Sequence, residues 1–366
     1  MLQHDLLYAL ALLKAEGIGD VIAKRLIHHL GSAEEVFRAK SIQLARIEGI
    51  GATLIQKLQN PNLLIEAEKE LEFIHKEKLE VWYYQDALYP ERLKQCYDAP
   101  VLLFTSGNIH LENRKLISIV GTRQVTAHGT EFCKQLIADL APHNPVIISG
   151  FAYGVDIVAH QTSLEHNLQT IGVLAHGLNQ IYPKNHKKYM RKMEENGGFI
   201  TEFWSTSNPD RENFVKRNRI VAGMTEATIV IESAEQGGSL LTAQMADEYN
   251  RDVFAVPGRT TDTYSKGCNE LIKTNKAQML THATDVVCQL NWDIPKSPKG
   301  IQKQLFITLE TEEQMVYDFL KTKGKEHLDY IALQCELPVY KLSSLFLNME
   351  LKGVVRPLPG KYFEII

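Results

Sequence analysis

Between Leu116 and Pro257 short β-branched runs alternate with amphipathic stretches, and this alternation constrains the fold more than any other feature of the chain. The runs are Leu116–Val120, Val146–Ser149, Thr170–Ala175, Phe199–Thr201, Ala227–Glu232 and Val253–Pro257. They are apolar almost without a break, so both faces of each strand require cover. The intervening segments His128–Ala141, Val155–His166, His186–Asn196, Val215–Met224 and Ser239–Asn250 have helical periodicity. Strand–helix–strand order with continuously apolar strands specifies an α/β fold with a doubly wound, mostly parallel sheet. Leu79–Tyr84 and Pro100–Phe104 read as two further strands leading into it.

In such a sheet the loops leaving the strand ends gather on one edge, where phosphates and nucleotides bind. Gly121, Thr122 and Arg123 follow the first central strand, Ser149 and Gly150 open the turn that runs to Asp156, and His176–Lys184, Thr201–Asn218 and Gln236–Ser239 follow later strands. Gly237 and Gly238 make a glycine-rich turn, with Ser239 at the expected N-cap of the next helix. Each turn alone also fits an ordinary strand-to-helix connection whose polar residues are solvated. The edge is basic, with Lys184, Lys187, Lys188, Arg191 and Lys192 in one loop and helix and Arg211, Lys216, Arg217 and Arg219 around the next. Aromatic residues are interleaved: Phe151, Tyr153, Tyr182, Tyr189, Phe203, Trp204 and Phe214. Cations that track a backbone, with rings on which bases stack, suit single-stranded nucleic acid. A solvated basic helix beside core aromatics has the same sequence.

Composition adds mainly exclusions. The chain has 366 residues, 44% hydrophobic and 23% charged, which is enough for two or three domains. Its net charge of −4 means that any nucleic-acid reading rests on local clusters. Nothing approaches the ~20 apolar residues of a membrane span, and the first residues lack a basic signal region, so a cytoplasmic protein is expected. Five scattered cysteines never fall in Cys-x-x-Cys spacing and read as core fillers; no metal site is expected. The chain has neither a P-loop nor a Gly-x-Gly-x-x-Gly turn, so no cofactor is expected. Asp156 and His160, four residues apart, could form an acid/base pair, but a capping aspartate and a core histidine account for them better. Glu202 and Glu232 follow strands with no evident catalytic partner.

The ends carry separate patterns. Residues 1–75 are helical and contain the repeat Glu16-Gly-Ile-Gly19 and Glu48-Gly-Ile-Gly51, each followed by an apolar helix. This resembles paired helix-hairpin-helix motifs, whose glycine turns approach DNA phosphates, with Lys24, Arg25 and Lys57 close behind; a small packed helical domain is the alternative. Residues 291–311 read as a linker. In 312–366, helices Glu312–Thr322, His327–Cys335 and Val339–Lys352 and a hairpin from Val354 to Glu364 fit a winged helix. Its third helix offers only Lys341 and Lys352 as cations, so a protein contact is as good an expectation as groove binding.

Together the motifs resemble the DNA-processing protein A (DprA/Smf) family. The matching segments are Ser118–Arg123, Ser149–Asp156, Arg217–Ile220, Gly238–Ala243, Val253–Gly258 and Gly267–Asn269, with Tyr89–Leu93, Leu103–Phe104 and Gly107–Asn108 upstream. The resemblance implies an extended Rossmann domain over residues 80–290 that binds single-stranded DNA, forms a homodimer and performs no catalysis. It also implies loading of the RecA recombinase, on strands coated by single-strand binding protein, during natural transformation. Carried over by motif, Gly121, Thr122, Arg123, Ser149, Gly150, Lys184, Phe214, Lys216, Arg217, Asn218, Arg219, Gly238 and Ser239 form the expected DNA site. A nucleotide-processing Rossmann enzyme, phosphoribohydrolase-like, is the alternative. Three positions depart from the family pattern. Val215 replaces a proline and so removes a pre-organised turn before the arginines, Gly237 replaces a serine and removes a hydroxyl, and Asn275 replaces a glycine in a left-handed turn.

Overall fold

The computed structural model describes residues 3–292, 309–358 and 360–365. The chain divides into two compact units after Asp293. In the first, nine strands form one sheet: β1 (Glu80–Tyr83), β2 (Leu102–Asn108), β3 (Leu116–Val120), β4 (Val146–Ser149), β5 (Thr170–Val173), β6 (Gly197–Thr201), β7 (Ala227–Val230), β8 (Asp252–Ala255) and β9 (Gln278–Met279). Their order is β1-β2-β6-β5-β4-β3-β7-β8-β9. The strands from β6 to β9 in that order are parallel, and β1 and β2 extend the sheet antiparallel beyond β6.

The continuous apolar runs are covered on both faces. Ile117, Ile119, Ile147 and Ile229 pack into one core layer, while Val120, Val146, Ile148 and Ile171 pack into the other. This is the period-two division of a strand buried on both sides. The chain moves outward from β3 to β6 and then returns to place β7 on the opposite side of β3. The crevice of a doubly wound sheet opens at this reversal, between the ends of β3 and β7.

Strand β6 begins at Gly197, earlier than the apolar pattern indicates. A Cβ on Gly198, whose φ is +152°, would lie 2.0 Å from the Ser106 carbonyl oxygen of β2. A close backbone approach, rather than β propensity, selects glycine there.

The expected boundary near residues 75–80 is not a break in packing. Tyr83, Val101, Leu102 and Phe104 of the sheet bury themselves in the same core as Leu10, Leu12, Leu26 and Ile27 of the amino-terminal helices. The repeat expected there has a matching backbone. Gly17 and Gly49 have φ of +86° and +82°, and Gly19 and Gly51 cap helices Asp20–Leu30 and Ala52–Leu58 with φ of −88° in both. The two hairpins hold each other, since Arg25 donates to the Glu48 carbonyl at 2.8 Å and Lys57 pairs with Glu16 at 3.0 Å. Asp20, in the first turn after the first hairpin, faces the sheet domain, accepting from the Val101 N–H at 2.8 Å and pairing with Arg219 at 2.9 Å. Two of the three cations behind the turns therefore have internal partners, and half-buried Lys24 stands 5.4 Å from the Tyr84 ring.

The second unit is a winged helix. Helices Thr311–Lys323, Leu328–Gln334 and Val339–Leu351 pack with a small sheet of β10 (Glu326–His327), β11 (Val355–Leu358) and β12 (Tyr362–Ile365), ordered β10-β12-β11. The linker expectation over 291–311 falls mostly outside the described residues; of those described, Trp292 is buried in the core of the first unit and Thr311 begins a helix. Of the five cysteines four are buried as expected, but Cys288 is exposed. Asn275 takes φ of +55°, so the left-handed turn survives the loss of glycine.

The Asp20 contacts predict a contrast measurable by chemical denaturation. Asp20→Ala, which strips a buried guanidinium and an N–H of an acceptor, should cost about 1.5–3 kcal/mol. Lys57→Ala, which breaks a pair whose Glu16 side chain is 86% exposed, should cost less than about 1 kcal/mol.

Candidate functional site

At the switch point lies a cleft of ≈ 960 Å³, walled by the turn after β3, the helix Arg211–Gly223 and the start of the helix Gly238–Glu248. The turn is pinned from below. The Thr122 N–H donates to the Glu232 carbonyl at 2.7 Å, and the Glu232 carboxylate accepts from the N–H and hydroxyl of Thr126 at 2.9 and 2.5 Å. Gly121, Thr122 and Arg123 thus line the cleft as expected. Arg123 is exposed, and its guanidinium stands 5.1 Å from the Phe214 ring centroid. Phe214 meets Tyr182 edge-on at 5.7 Å. Beside them a narrow recess is lined by Phe151, Tyr153, Tyr182, Pro183 and Phe214. A cation on one ring, with further rings next to it, is the arrangement that takes a charged, planar ligand.

The helix Arg211–Gly223 sorts its own residues. Residues 217 and 219 are two apart, about 200° around a helix, and therefore face opposite ways. Phe214, Arg217, Asn218 and Val221 line the cleft. Lys216 and Arg219 face away from it, contrary to expectation. Lys216 pairs with Glu202 at 2.8 Å, while Arg219 is held by Glu202 at 2.5 Å, by Asp20 at 2.9 Å and by the Asp98 carbonyl. Burial alone would lower the Arg219 pKa, but Glu202, Asp20 and Asp98 together raise it above the ordinary value. Its positive charge is therefore neutralised inside the protein.

Arg217 is also buried, at 4% exposure, and donates to the carbonyls of Gly150 (2.5 Å) and Val173. Its Nε donates to Asn218 Oδ1 at 3.1 Å. Burial pushes its pKa down to about 10 against the opposing pull of Asp156. The guanidinium crosses Gly150 so closely that a Cβ there would lie 2.5 Å from an Arg217 nitrogen and 2.6 Å from Asp156 Oδ2. Arg217 is thus the floor of the cleft, and Gly150 is glycine because Arg217 lies over it.

Ser149 is fully buried and donates to the Ile119 carbonyl at 2.6 Å, so it joins β4 to β3 instead of facing a ligand. Lys184 is exposed and follows Pro183 at the rim of the aromatic recess. Gly237, not Ser239, is the N-cap of the helix Gly238–Glu248, and the Ser239 hydroxyl donates to that of Ser233 at 2.9 Å. Ser233, which the sequence did not single out, fills the space of the missing family serine: a Cβ on Gly237 would lie 2.2 Å from its Oγ. Gly238 begins the helix and leaves its first N–H groups at the cleft wall, where an anion is favoured. The turn expected to be weakened at Val215 is helix from Arg211 onward, and valine keeps the N–H that a proline would lack.

The acid/base candidates have different hydrogen-bond partners. The Asp156 carboxylate accepts from the Ala152 N–H at 3.3 Å, whereas His160 Nδ1 lies 2.7 Å from the Thr170 hydroxyl. Among the described residues there is no group of three potential metal ligands, and no helix is long and apolar enough to cross a membrane.

Buried His160 generates a pH prediction. Burial, with help from His186 and Arg217, lowers its pKa from 6.5 to about 3. The unfolded chain therefore takes up a proton that the folded one refuses, and stability should fall as pH drops from about 6.5 towards 3. One such proton contributes about 1.4 kcal/mol per pH unit. Denaturation series on a folded His160→Gln variant should give a shallower slope in that window, and an unchanged slope would assign the acid sensitivity elsewhere.

Comparison with known proteins agrees with this architecture. The family model for DNA recombination-mediator protein A matches residues 80–291, and that for the DprA winged helix domain matches residues 306–361. Protein Smf of Synechocystis is 32% identical over 309 residues, 83% of this chain and 77% of the relative. DNA processing protein DprA of Streptococcus pneumoniae is 36% identical over 207 residues, 57% of this chain and 73% of the relative. The X-ray structure of DprA from Streptococcus pneumoniae superposes with a TM-score of 0.64 at 30% identity, covering 77% of this chain and 97% of that one. A structure of DNA processing protein A from Helicobacter pylori, described for its single-stranded DNA binding mode, gives 0.53 at 27% identity, covering 59% and 97%. With its central domain and its winged helix both matched in order, the chain belongs to the DNA recombination-mediator protein A family, the DprA/Smf proteins.

Proposed function

We propose that this protein binds single-stranded DNA in the switch-point cleft and acts as a non-enzymatic mediator that loads RecA onto it. One observation carries the reading: the exposed Arg123 guanidinium over the Phe214 ring at the mouth of the cleft, beside the recess lined by Tyr153 and Tyr182. The cation meets a phosphate and the rings meet unpaired bases. Duplex DNA keeps its bases stacked and denies them to those rings. The single-stranded DNA binding mode of the Helicobacter pylori relative supports the reading. RecA loading on strands coated by single-strand binding protein, action on DNA taken up in natural transformation, homodimer formation and a cytoplasmic setting follow from the family resemblance.

The absence of catalysis is part of the proposal, and the engagement of each candidate acid supports it. Glu232 secures the β3 turn, Glu202 is shared by Arg219 and Lys216, and Asp156 lies against Arg217. The cleft volume alone would admit a mononucleotide, so release of free base or ribose phosphate from a nucleotide would favour the enzyme reading over this one.

Two variants separate the roles of charge and ring. Arg123→Ala should lower the slope of log affinity against log salt by about 0.7, equally on different base sequences. Phe214→Ala should weaken binding by about 1–3 kcal/mol and leave that slope in place. In the same salt the wild type should prefer a single strand to a blunt duplex of equal length, and equal affinity for the two would contradict the stacking argument.

A further inference from the structure

A second basic surface lies outside the cleft, on the helix Lys187–Glu195 that follows the aromatic recess. Lys187, Lys188, Arg191 and Lys192 fall at i, i+1, i+4 and i+5, hence on one face, and all four are exposed. Lys184 precedes them in the turn Lys184–His186. The opposite face anchors the helix: Met193 is fully buried, Tyr189 accepts from Gln161, and Glu194 accepts from the Ser106 hydroxyl at 2.7 Å.

Two physical features set this cluster apart. The first is its placement on the helix. The first turn holds Lys187 and Lys188 and no acidic residue, although the positive end of the helix dipole disfavours cations there. These lysines do not serve the stability of their own helix. The second is pairing. Several cations elsewhere are matched by carboxylates, as in Lys14–Glu66, Lys57–Glu16, Lys273–Glu270, Lys341–Glu312 and Lys352–Glu313. Among the described residues Lys184, Lys187, Lys188 and Lys192 have no carboxylate partner, and only Arg191 has one, Glu195 at 3.3 Å near the far end of the helix. In a chain of net charge −4 this is a local positive field with few internal contacts, Arg191 on Glu195 and Lys188 4.9 Å from the Tyr189 ring.

The face is continuous with the cleft. Tyr182 and Pro183 line the recess, Lys184 is the next residue, and His186 Nδ1 lies 3.1 Å from the Phe151 carbonyl of the recess wall. We propose that the helix Lys187–Glu195 is a track along which a polynucleotide strand continues after leaving the cleft, its phosphates met by Lys184, Lys187, Lys188, Arg191 and Lys192. The helix is roughly 13 Å long at 1.5 Å per residue, so the track adds a few phosphates to the site. Apart from Glu195 its exposed side chains are cations, and Tyr189 is engaged by Gln161 and by Lys188, 4.9 Å from its ring, so its contribution is electrostatic and independent of base sequence. This rests on the cleft binding single strands and extends the same site.

Oligothymidylates of graded length test the track on the full chain. The variant Lys187→Gln/Lys188→Gln/Arg191→Gln/Lys192→Gln changes only exposed side chains, and its melting temperature checks that it folds. Oligomers just long enough for the cleft should bind it as they bind the wild type. Longer oligomers should lose about tenfold or more in affinity at low salt, and their salt slope should fall by about 0.7 for each phosphate contact removed. Arg123→Ala, by contrast, should weaken short and long oligomers alike. Wild-type affinity and slope on long oligomers would overturn the track and leave the cleft standing, and would assign the basic face to an anionic protein partner. Equal loss at all lengths would overturn it too, by making the helix part of the cleft. Failure of the wild type to bind any oligomer would refute the cleft reading and the track with it.

Discussion

The Arg219 guanidinium is the fixed point of the molecule. It is held by Glu202 after β6, by Asp20 at the start of an amino-terminal helix and by the Asp98 carbonyl in the loop before β2. Three segments far apart in sequence converge on one side chain, and a buried charge met this way tolerates little displacement. The consequence is rotational. With Arg219 fixed on the inner side of its helix, Arg217 and Phe214 face the cleft, and Arg217 can lie over Gly150. The amino-terminal helices therefore help to build the site without lining it.

The cleft shows how a chain of net negative charge can present a positive surface. Its deepest arginine, Arg217, is used up on backbone carbonyls, and the cations offered to a ligand are Arg123, placed at the lip over a ring, and exposed Arg211 on the cleft wall. Neutral donors add to them, from the first N–H groups of the helix Gly238–Glu248. Fixed dipoles attract an anion without the desolvation that burying a free lysine would entail. The terminal units spend their cations differently. Arg25 and Lys57 lock the two glycine hairpins together, and Lys341 of the third winged-helix helix and Lys352 at its C-cap pair with Glu312 and Glu313.

Much of this was legible in the sequence, for identifiable reasons. The parallel strands were readable because a strand buried on both faces leaves an unbroken apolar run, as Val146–Ser149 and Ala227–Val230 do. The start of β6 was not, since Gly197 and Gly198 have poor strand propensity and are selected by backbone proximity. The helix at Arg211 begins four residues before its apolar pattern, because its first turn is polar. The split between Arg217 and Arg219 was legible, since both lie inside the expected helix Val215–Met224 two positions apart; taking the two arginines together by motif concealed it. The Ser233 hydroxyl and the Glu232 anchor belong to loops, where no periodicity marks them. The shared core of the amino-terminal helices and β2 joins residues such as Leu10 and Phe104, a pairing that local pattern does not encode.

The central claim is that one strand of DNA lies in the cleft between β3 and β7. The most direct measurement is a crystal structure of the full chain with bound oligothymidylate. The account predicts phosphates at the Gly121–Arg123 turn and at the start of the helix Gly238–Glu248, with a base against Phe214 and Tyr182. An oligomer seated instead on the Gly-Ile-Gly hairpins or on the winged helix, with the cleft empty, would contradict it.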